Sequence, residues 1–250
     1  GRRIAGNVVK RQLVTLDADF ADSSFMTILD LVLGDVCYAV YSTHKHTPEK
    51  PRLRVVIPLA RAVQPDAYQA IARRIADDIG MDLFDDTTYE AERLMYWPST
   101  STDGEYIFFA NDSENCLDPD DVLAAYDDWR DTSTWPESSR ANKMRQAAVK
   151  KQGDPYEKPG AIGAFCRTYS VPDVIDCFLN DVYEPCGEGR YTYKQGSTSG
   201  GLVVYEDGKF AYSHHGTDPV SGKLVNSFDL VRLHLFGDKD VDVEVDTKIN

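Results

Sequence analysis

Apolar residues recur at two spacings along the chain, and each spacing predicts one kind of secondary structure. Ala67, Ile71, Ile75 and Ile79 recur every fourth residue, which predicts a helix over residues 65–79 that ends at Gly80. The apolar run of residues 25–33 also ends at a glycine and predicts a second helix. A third helix is predicted over residues 118–129, with Asp118 as its cap. Runs of β-branched and aromatic residues predict strands over residues 12–19, 37–43, 52–59, 94–97 and 106–109.

The second half of the chain has shorter elements. Helices are predicted over residues 140–152, 161–169, 170–179 and 228–236, and strands over residues 190–193, 201–205 and 210–213. Asp207-Gly208 is a hairpin signal between the last two strands. An acidic tail follows from Asp238, and we expect it to be frayed.

The irregular mixture of these elements predicts an α+β fold. We expect a catalytic core with a mixed or antiparallel sheet flanked by helices, followed by a smaller C-terminal region of helices and β-hairpins. The polar stretch 131–139 contains Pro136 and marks the predicted division into domains 1–130 and 131–250.

The composition narrows the classes of partner and compartment. A net charge of −14 argues against polyanion binding by the whole surface, but it leaves room for local basic islands. The basic stretch 140–158 is one such island, and it is either a contact for a template backbone or a solvated helix face. No apolar stretch approaches the roughly 20 residues that span a bilayer, so no membrane association is expected. The five scattered cysteines indicate reduced thiols and a cytoplasmic location.

Two carboxylates close the first predicted strand. Asp17 and Asp19 are spaced i, i+2, so they project from the same face of a strand. Two close carboxylates repel each other unless a cation lies between them, and their hard oxygen atoms suit Mg²⁺ or Mn²⁺. The alternative interpretation is an acidic, solvated strand end without a ligand.

Two further motifs follow in a fixed order. The strand of residues 37–43 ends in Ser42-Thr43-His44, and Phe84-Asp85 comes later, with Tyr89 and Arg93 at four-residue steps after the aspartate. This order resembles the archaeo-eukaryotic primase superfamily, including the PrimPol enzymes, which carries an hDhD/E motif, then SxH, then hD. The Asp-x₃-Tyr-x₃-Arg spacing selects Asp85 over its acidic neighbours at positions 82 and 86.

Longer strings sharpen the resemblance to one subgroup. YSTHKHTPEKPRLRVVIPL, LFDDTTYEAERLMYWPS, KPGAIGAFCRTYS and GLVVYEDGKFAYSHHGTDPVSGKLVNSFDLVRLH look like the N-terminal region of virulence-associated E-like primase–helicases of phages and mobile elements. A helicase domain follows in those proteins, which implies a C-terminal helicase partner. The present sequence contains no GxxxxGK[ST] phosphate loop.

The resemblance implies a function and a set of site residues. The function is template-directed nucleotidyl transfer on single-stranded DNA, as primer synthesis or DNA polymerisation from nucleoside triphosphates. Asp17, Asp19 and Asp85 would hold two Mg²⁺ or Mn²⁺ ions. The residues implied in contacting the nucleotide phosphates are Ser42, His44, Arg54 and Arg93.

Two other functions remain compatible with the sequence. A metal-dependent nuclease also uses clustered carboxylates, and a non-catalytic DNA-binding module of a replicative helicase needs no catalysis.

No zinc is expected, because the sequence has neither a CxxC pair nor a paired CxxH. Trp97 is expected in the core because it ends an apolar predicted strand. The alternative is a stacking surface for template bases, which Tyr96, Trp129 and Trp135 would extend.

Overall fold

The structure is a computed structural model that describes residues 5–240, and the chain separates into two compact units. The N-terminal unit is Val8–Asn142, and the C-terminal unit contains the described residues from Lys143 onward together with residues 5–7. The sequence-based division after residue 130 falls earlier, because Trp135 is buried in the N-terminal core and Ser138 bonds to Asp86. The predicted acidic tail lies, from residue 241 on, outside the described residues.

The N-terminal unit is built on a four-stranded antiparallel sheet with helices against one face. The strands are β1 (Arg11–Ala18), β2 (Tyr38–Ser42), β3 (Leu53–Val63) and β4 (Phe108–Asn111), in the order β1-β3-β2-β4. The helices are α1 (Phe25–Leu33), α2 (Pro65–Ile79) and α3 (Pro119–Ala124). Alternate side chains such as Leu16 and Val55 are fully buried and belong to one core with Ile71 of α2. The opposite face carries the polar side chains of the site.

Local signals predicted α1 and α2 of the N-terminal unit to the residue. Helix α2 ends at Gly80, whose φ of +133° is a conformation that other residues rarely adopt, and the Gly80 N–H bonds to the Ala76 carbonyl. Helix α3 has the predicted Asp118 cap, which accepts from the Asp120 N–H, but it ends at Ala124 rather than at residue 129.

The predicted strand over residues 94–97 is wrong. The segment between Tyr89 and β4 contains no helix or strand. Pro98 has no N–H for a ladder, and the Tyr96 carbonyl accepts side-chain bonds from Tyr41 and Arg54 instead of strand partners.

The C-terminal unit has its own sheet and core. Helix α4 (Ala141–Gln152) precedes α5 (Gly160–Thr168) and α6 (Val171–Phe178), and α7 (Ser227–Leu235) closes the described part. The five antiparallel strands follow one another in sheet order: β5 (Tyr183–Pro185), β6 (Arg190–Tyr193), β7 (Leu202–Tyr205), β8 (Phe210–Ser213) and β9 (Leu224–Asn226). Helix α6 begins with a capping box, in which Ser170 and Asp173 bond to each other's backbone N–H.

The α+β prediction is confirmed, and both sheets are antiparallel. Across residues 5–240, none of the helices combines the length and the apolar character that a bilayer crossing requires.

Candidate functional site

The register of the N-terminal sheet aligns four side chains in one row across its uncovered face. Asp17 of β1 lies opposite Arg54 of β3, and Arg54 lies opposite Tyr41 of β2. Tyr41 in turn lies opposite Phe108 of the edge strand β4. Cross-strand partners in an antiparallel sheet project from the same face, so the row sets an acid, a base and two aromatic rings side by side.

Asp17 and Arg54 form a buried ion pair. The Arg54 Nε donates to Asp17 Oδ1 at 2.5 Å, and the two side chains are only 9% and 11% exposed. The Arg54 Nη1 also donates to the Tyr96 carbonyl at 2.7 Å and to the Tyr41 hydroxyl at 3.3 Å. Burial works to lower the pKa of Arg54, but the hydrogen bonds to Asp17 and Tyr41 outweigh it and raise the pKa. The guanidinium is therefore held charged and is engaged by protein groups.

Asp19 continues the acidic edge one step beyond β1. Its Oδ2 lies 2.6 Å from Arg52 Nη1, so the second carboxylate is also paired with an arginine, the residue immediately before β3. Both side chains of this pair are partly exposed, at 23% and 32%. Arg52 and Arg54 are thus spaced like Asp19 and Asp17, two residues apart. The Arg52–Asp19 pair is the more exposed of the two pairs.

Asp85 reaches the same edge through backbone contacts with β1. Its N–H donates to the Asp17 carbonyl at 2.8 Å, and the Thr88 hydroxyl accepts from the Asp17 N–H at 2.9 Å. The Asp85 carboxylate caps the short 3₁₀ turn Asp86–Tyr89 by accepting from the N–H and the hydroxyl of Thr87. Arg93 Nη2 lies 3.4 Å from the same carboxylate. The last residue of the Asp-x₃-Tyr-x₃-Arg pattern, Arg93, therefore contacts the first, Asp85.

Two residues of the motifs face the core instead of the site. Ser42 is fully buried, and its hydroxyl accepts a hydrogen bond from the Ile107 N–H at 2.9 Å, which ties β2 to the segment before β4. Tyr89 packs in the core beneath the Arg73 guanidinium, and burial raises its pKa. In this arrangement the Ser42 hydroxyl is directed away from the face that carries Asp17.

A pocket opens beside the row of side chains. Its cavity measures about 420 Å³, and Tyr41 and Arg54 of the row line it. His44, Lys45 and Arg52 line it as well. The remaining wall is the irregular segment from Tyr96 to Ser99, and the Ser99 hydroxyl lies 3.4 Å from His44 Nδ1. Cationic and aromatic side chains therefore surround one cavity at the end of the acidic edge.

Trp97 lies in the wall of this pocket with 90% of its side chain exposed, so the expectation that it is a core residue is wrong. The sequence pattern failed because the segment is anchored through the Tyr96 backbone, which leaves the neighbouring ring outside. Trp135, by contrast, is buried and belongs to the core.

Sequence reasoning missed three residues of this region. Lys45 and Arg52 line the pocket, although neither belongs to a motif. His46 is buried, accepts from the Arg52 N–H through Nδ1 at 3.2 Å, and has a buried Nε2 without a hydrogen-bond partner among the described residues. Two nearby histidines in one loop were the available signal, but the sequence alone did not distinguish the pocket residue from the loop-ordering one.

The three carboxylates supply the hard oxygen atoms that Mg²⁺ or Mn²⁺ takes, and Asp17 and Asp85 belong to directly bonded backbone segments. Each carboxylate is nevertheless paired with its own arginine. Within residues 5–240, no group of three or more histidine, cysteine, aspartate or glutamate side chains is arranged to hold a metal ion. The donor chemistry fits a divalent cation, and the metal role of Asp17, Asp19 and Asp85 stays a prediction.

The first residue of the basic stretch 140–158 bonds to the N-terminal unit, whereas the helix that follows has no buried residue. Arg140 bonds to the carbonyl oxygens of Asp82 and Phe84 and lies 3.4 Å from the Asp86 carboxylate, so it is part of the N-terminal unit. Helix α4 carries Lys143, Lys150 and Lys151, and none of its residues is buried. Both interpretations of this helix, as a nucleic-acid contact and as a solvated face, stay predictions.

Comparison with known proteins identifies the family. A sequence model described as the VapE N-terminal domain matches residues 1–138, which include the whole site and more than half of the chain. The chain belongs to this family, which occurs in VapE-like proteins of phages and mobile elements and makes this a replication-related protein of such an element. The resemblance to virulence-associated E-like proteins is thereby confirmed. Neither a curated protein nor a solved structure matches the chain.

Proposed function

We propose that the N-terminal unit catalyses template-directed nucleotidyl transfer on single-stranded DNA, as primer synthesis, DNA polymerisation or both. The observation that carries this proposal is the pocket lined by His44, Lys45 and Arg52 beside the carboxylates of Asp17 and Asp19. A triphosphate needs cationic and hydrogen-bonding partners, and the reacting phosphate needs nearby acidic groups that hold divalent ions. Cationic side chains and carboxylates lie together along one edge of one sheet, which supports the proposal.

The reaction forms a bond between the primer 3′-oxygen and the α-phosphorus and breaks the bond to pyrophosphate. Two Mg²⁺ or Mn²⁺ ions held by Asp17, Asp19 and Asp85 would neutralise charge on the attacking and leaving oxygens. His44 lines the pocket and suits a phosphate contact, and Arg52 is a partly exposed guanidinium in the same lining. Arg54 positions Asp17 and the Tyr96 backbone, and Arg93 positions Asp85.

The test is a primer-extension and de novo priming assay on single-stranded DNA with Mg²⁺ or Mn²⁺, supplied with either deoxynucleotides or ribonucleotides. Asp19→Asn removes one carboxylate charge from the partly exposed pair and leaves the buried Asp17–Arg54 pair intact. We expect nucleotide incorporation to fall about a hundredfold or more, the size of effect seen when one positioned electrostatic group is removed from an active site. The thermal midpoint should stay close to that of the wild type, because exposed ion pairs contribute little.

The matched control is Asp120→Asn. Asp120 is also paired with an arginine, Arg61, but that pair is more exposed and lies at the other end of β3. This control should incorporate nucleotides at the wild-type rate. Equal rates in Asp19→Asn and the wild type would refute the site. Degradation of the template without incorporation would indicate a metal-dependent nuclease, and DNA binding without either reaction would indicate a non-catalytic module of the replicative helicase.

A further inference from the structure

Three exposed aromatic side chains lie at or next to the pocket: Tyr96 and Trp97 line it, and Phe108 is the cross-strand partner of the lining residue Tyr41. Trp97 is the most exposed large hydrophobic residue in the described part of the chain, at 90%, and Tyr96 and Phe108 are 74% and 62% exposed. Large aromatic rings are usually buried to a high degree, so adjacent rings left in water indicate a binding surface.

The backbone beneath these rings is fixed. The Tyr96 carbonyl accepts from Arg54 at 2.7 Å and from the Tyr41 hydroxyl at 3.1 Å, so this segment is anchored to the sheet through its main chain. Phe108 lies opposite Tyr41 in the ladder of β2 and β4 and therefore projects from the face that carries the site. The main chain of Tyr96 and of β4 is thus anchored, while the rings themselves stay exposed.

Charge identifies the occupant of this surface. The chain as a whole carries −14, yet His44, Lys45 and Arg52 are gathered at the pocket that Tyr96 and Trp97 line. Aromatic rings beside cationic groups are the combination that binds single-stranded nucleic acid, because bases stack on the rings while the backbone phosphates meet the cations. A neutral apolar partner would form no ion pair or hydrogen bond with the side chains of His44, Lys45 and Arg52.

We propose that Tyr96, Trp97 and Phe108 form a stacking platform for unpaired bases of single-stranded DNA at the entrance of the nucleotide pocket. The inference rests on the proposed function and adds to it the surface that holds the strand. Stacking is tolerant of sequence, since every base has a π-face, so the platform binds template of any sequence.

The test separates bases from phosphates. A fluorescent oligothymidylate and an abasic strand of the same length and phosphate charge are titrated with the full chain, in EDTA and without nucleotides, and anisotropy gives the affinity. We expect the wild type to bind the abasic strand about tenfold more weakly, which is the order of one stacked base. Trp97→Ala should weaken oligothymidylate binding about tenfold and leave abasic binding unchanged, and Trp97→Phe should restore most of the loss.

The matched control is Leu31→Ala, which removes an equally exposed apolar side chain from α1 and should change neither affinity. The platform is refuted if the wild type binds both strands equally, or if Trp97→Ala weakens both strands to the same extent. It is also refuted if sedimentation shows that Trp97→Ala dissociates a dimer, because the rings would then cover a second copy. Base-dependent binding without any incorporation would support the platform and refute the nucleotidyl transfer, so the two failures are distinguishable.

Discussion

Replacing Arg54 with methionine tests whether this residue is a structural partner of Asp17 or a ligand for nucleotide phosphates. Methionine keeps most of the apolar stem and removes the guanidinium that bonds to Asp17, Tyr41 and Tyr96. The Asp17 carboxylate would then remain in a site where its side chain is only 11% exposed, without a counter-charge. Breaking a buried pair in this way costs about 3–5 kcal/mol.

The expected loss converts into a large thermal shift. For a unit of this size, each kcal/mol lowers the thermal midpoint by about 3 °C, so Arg54→Met should lower it by about 10 °C or more. Trp97, Trp129 and Trp135 are the only tryptophans of the chain, and all three lie in the N-terminal unit. Tryptophan fluorescence during heating therefore reports the unfolding of this unit separately from the other.

A double substitution and an exposed pair serve as controls. Asp17→Asn combined with Arg54→Met removes the stranded charge and should recover most of the lost stability, as expected for coupled partners. Arg61→Gln breaks the exposed pair with Asp120 and should cost less than about 1 kcal/mol. The reasoning is refuted if Arg54→Met unfolds at the wild-type temperature, or if the double variant is no more stable than the single one.

Two further predictions concern the pocket and the C-terminal unit. His44→Ala should raise the apparent KM for nucleotide about fivefold to tenfold, the cost of one lost hydrogen bond, with unchanged template affinity in anisotropy titrations; equal KM values would exclude a phosphate contact. Asp218 is buried against His234, Ser213 and Tyr183. Burial acts to raise the pKa of Asp218, but the interaction with His234 outweighs burial and holds this pKa below its usual range. Its stabilisation is thus fully present above the unfolded-state pKa of about 4 and is lost as the pH falls through the lower folded-state pKa. Asp218→Asn should therefore lower the midpoint seen by circular dichroism at pH 7, and its difference from wild type should shrink as the pH falls below about 4; a difference that stays constant would contradict this.

The sequence predicted those parts of the fold that depend on neighbouring residues. Helix α2 begins at Pro65 and ends before Gly80 as predicted, because its period and its stop signal lie within one stretch. Strands β5 and β9 were missed, because each has only three residues and depends on pairing with a distant strand. The exposed Trp97 was assigned to the core, because an apolar run does not reveal which of its atoms are anchored.

The candidate site shows the same division. The i, i+2 spacing predicts that Asp17 and Asp19 share a face of a strand, but β1 ends at Ala18 and Asp19 lies in the turn that follows. Their pairing with Arg54 and Arg52 follows from the antiparallel register of β1 and β3, which residue spacing does not specify. The SxH motif likewise gave no indication that Ser42 faces the core and bonds to the Ile107 N–H.

Arg52 and Arg54 stand two residues apart but differ in burial, which favours different roles for the two side chains. Arg54 has protein partners for its guanidinium and is 9% exposed, so a phosphate would have to displace bonds whose loss strands a buried carboxylate. Arg52 has one partly exposed carboxylate partner, and an exposed pair of this kind contributes about 0–1 kcal/mol. Under the proposed function, a triphosphate entering the pocket would therefore replace Asp19 as the partner of Arg52 at little cost. Asp19 would then have lost its arginine partner. Its carboxylate would be available to a divalent ion that arrives with the nucleotide.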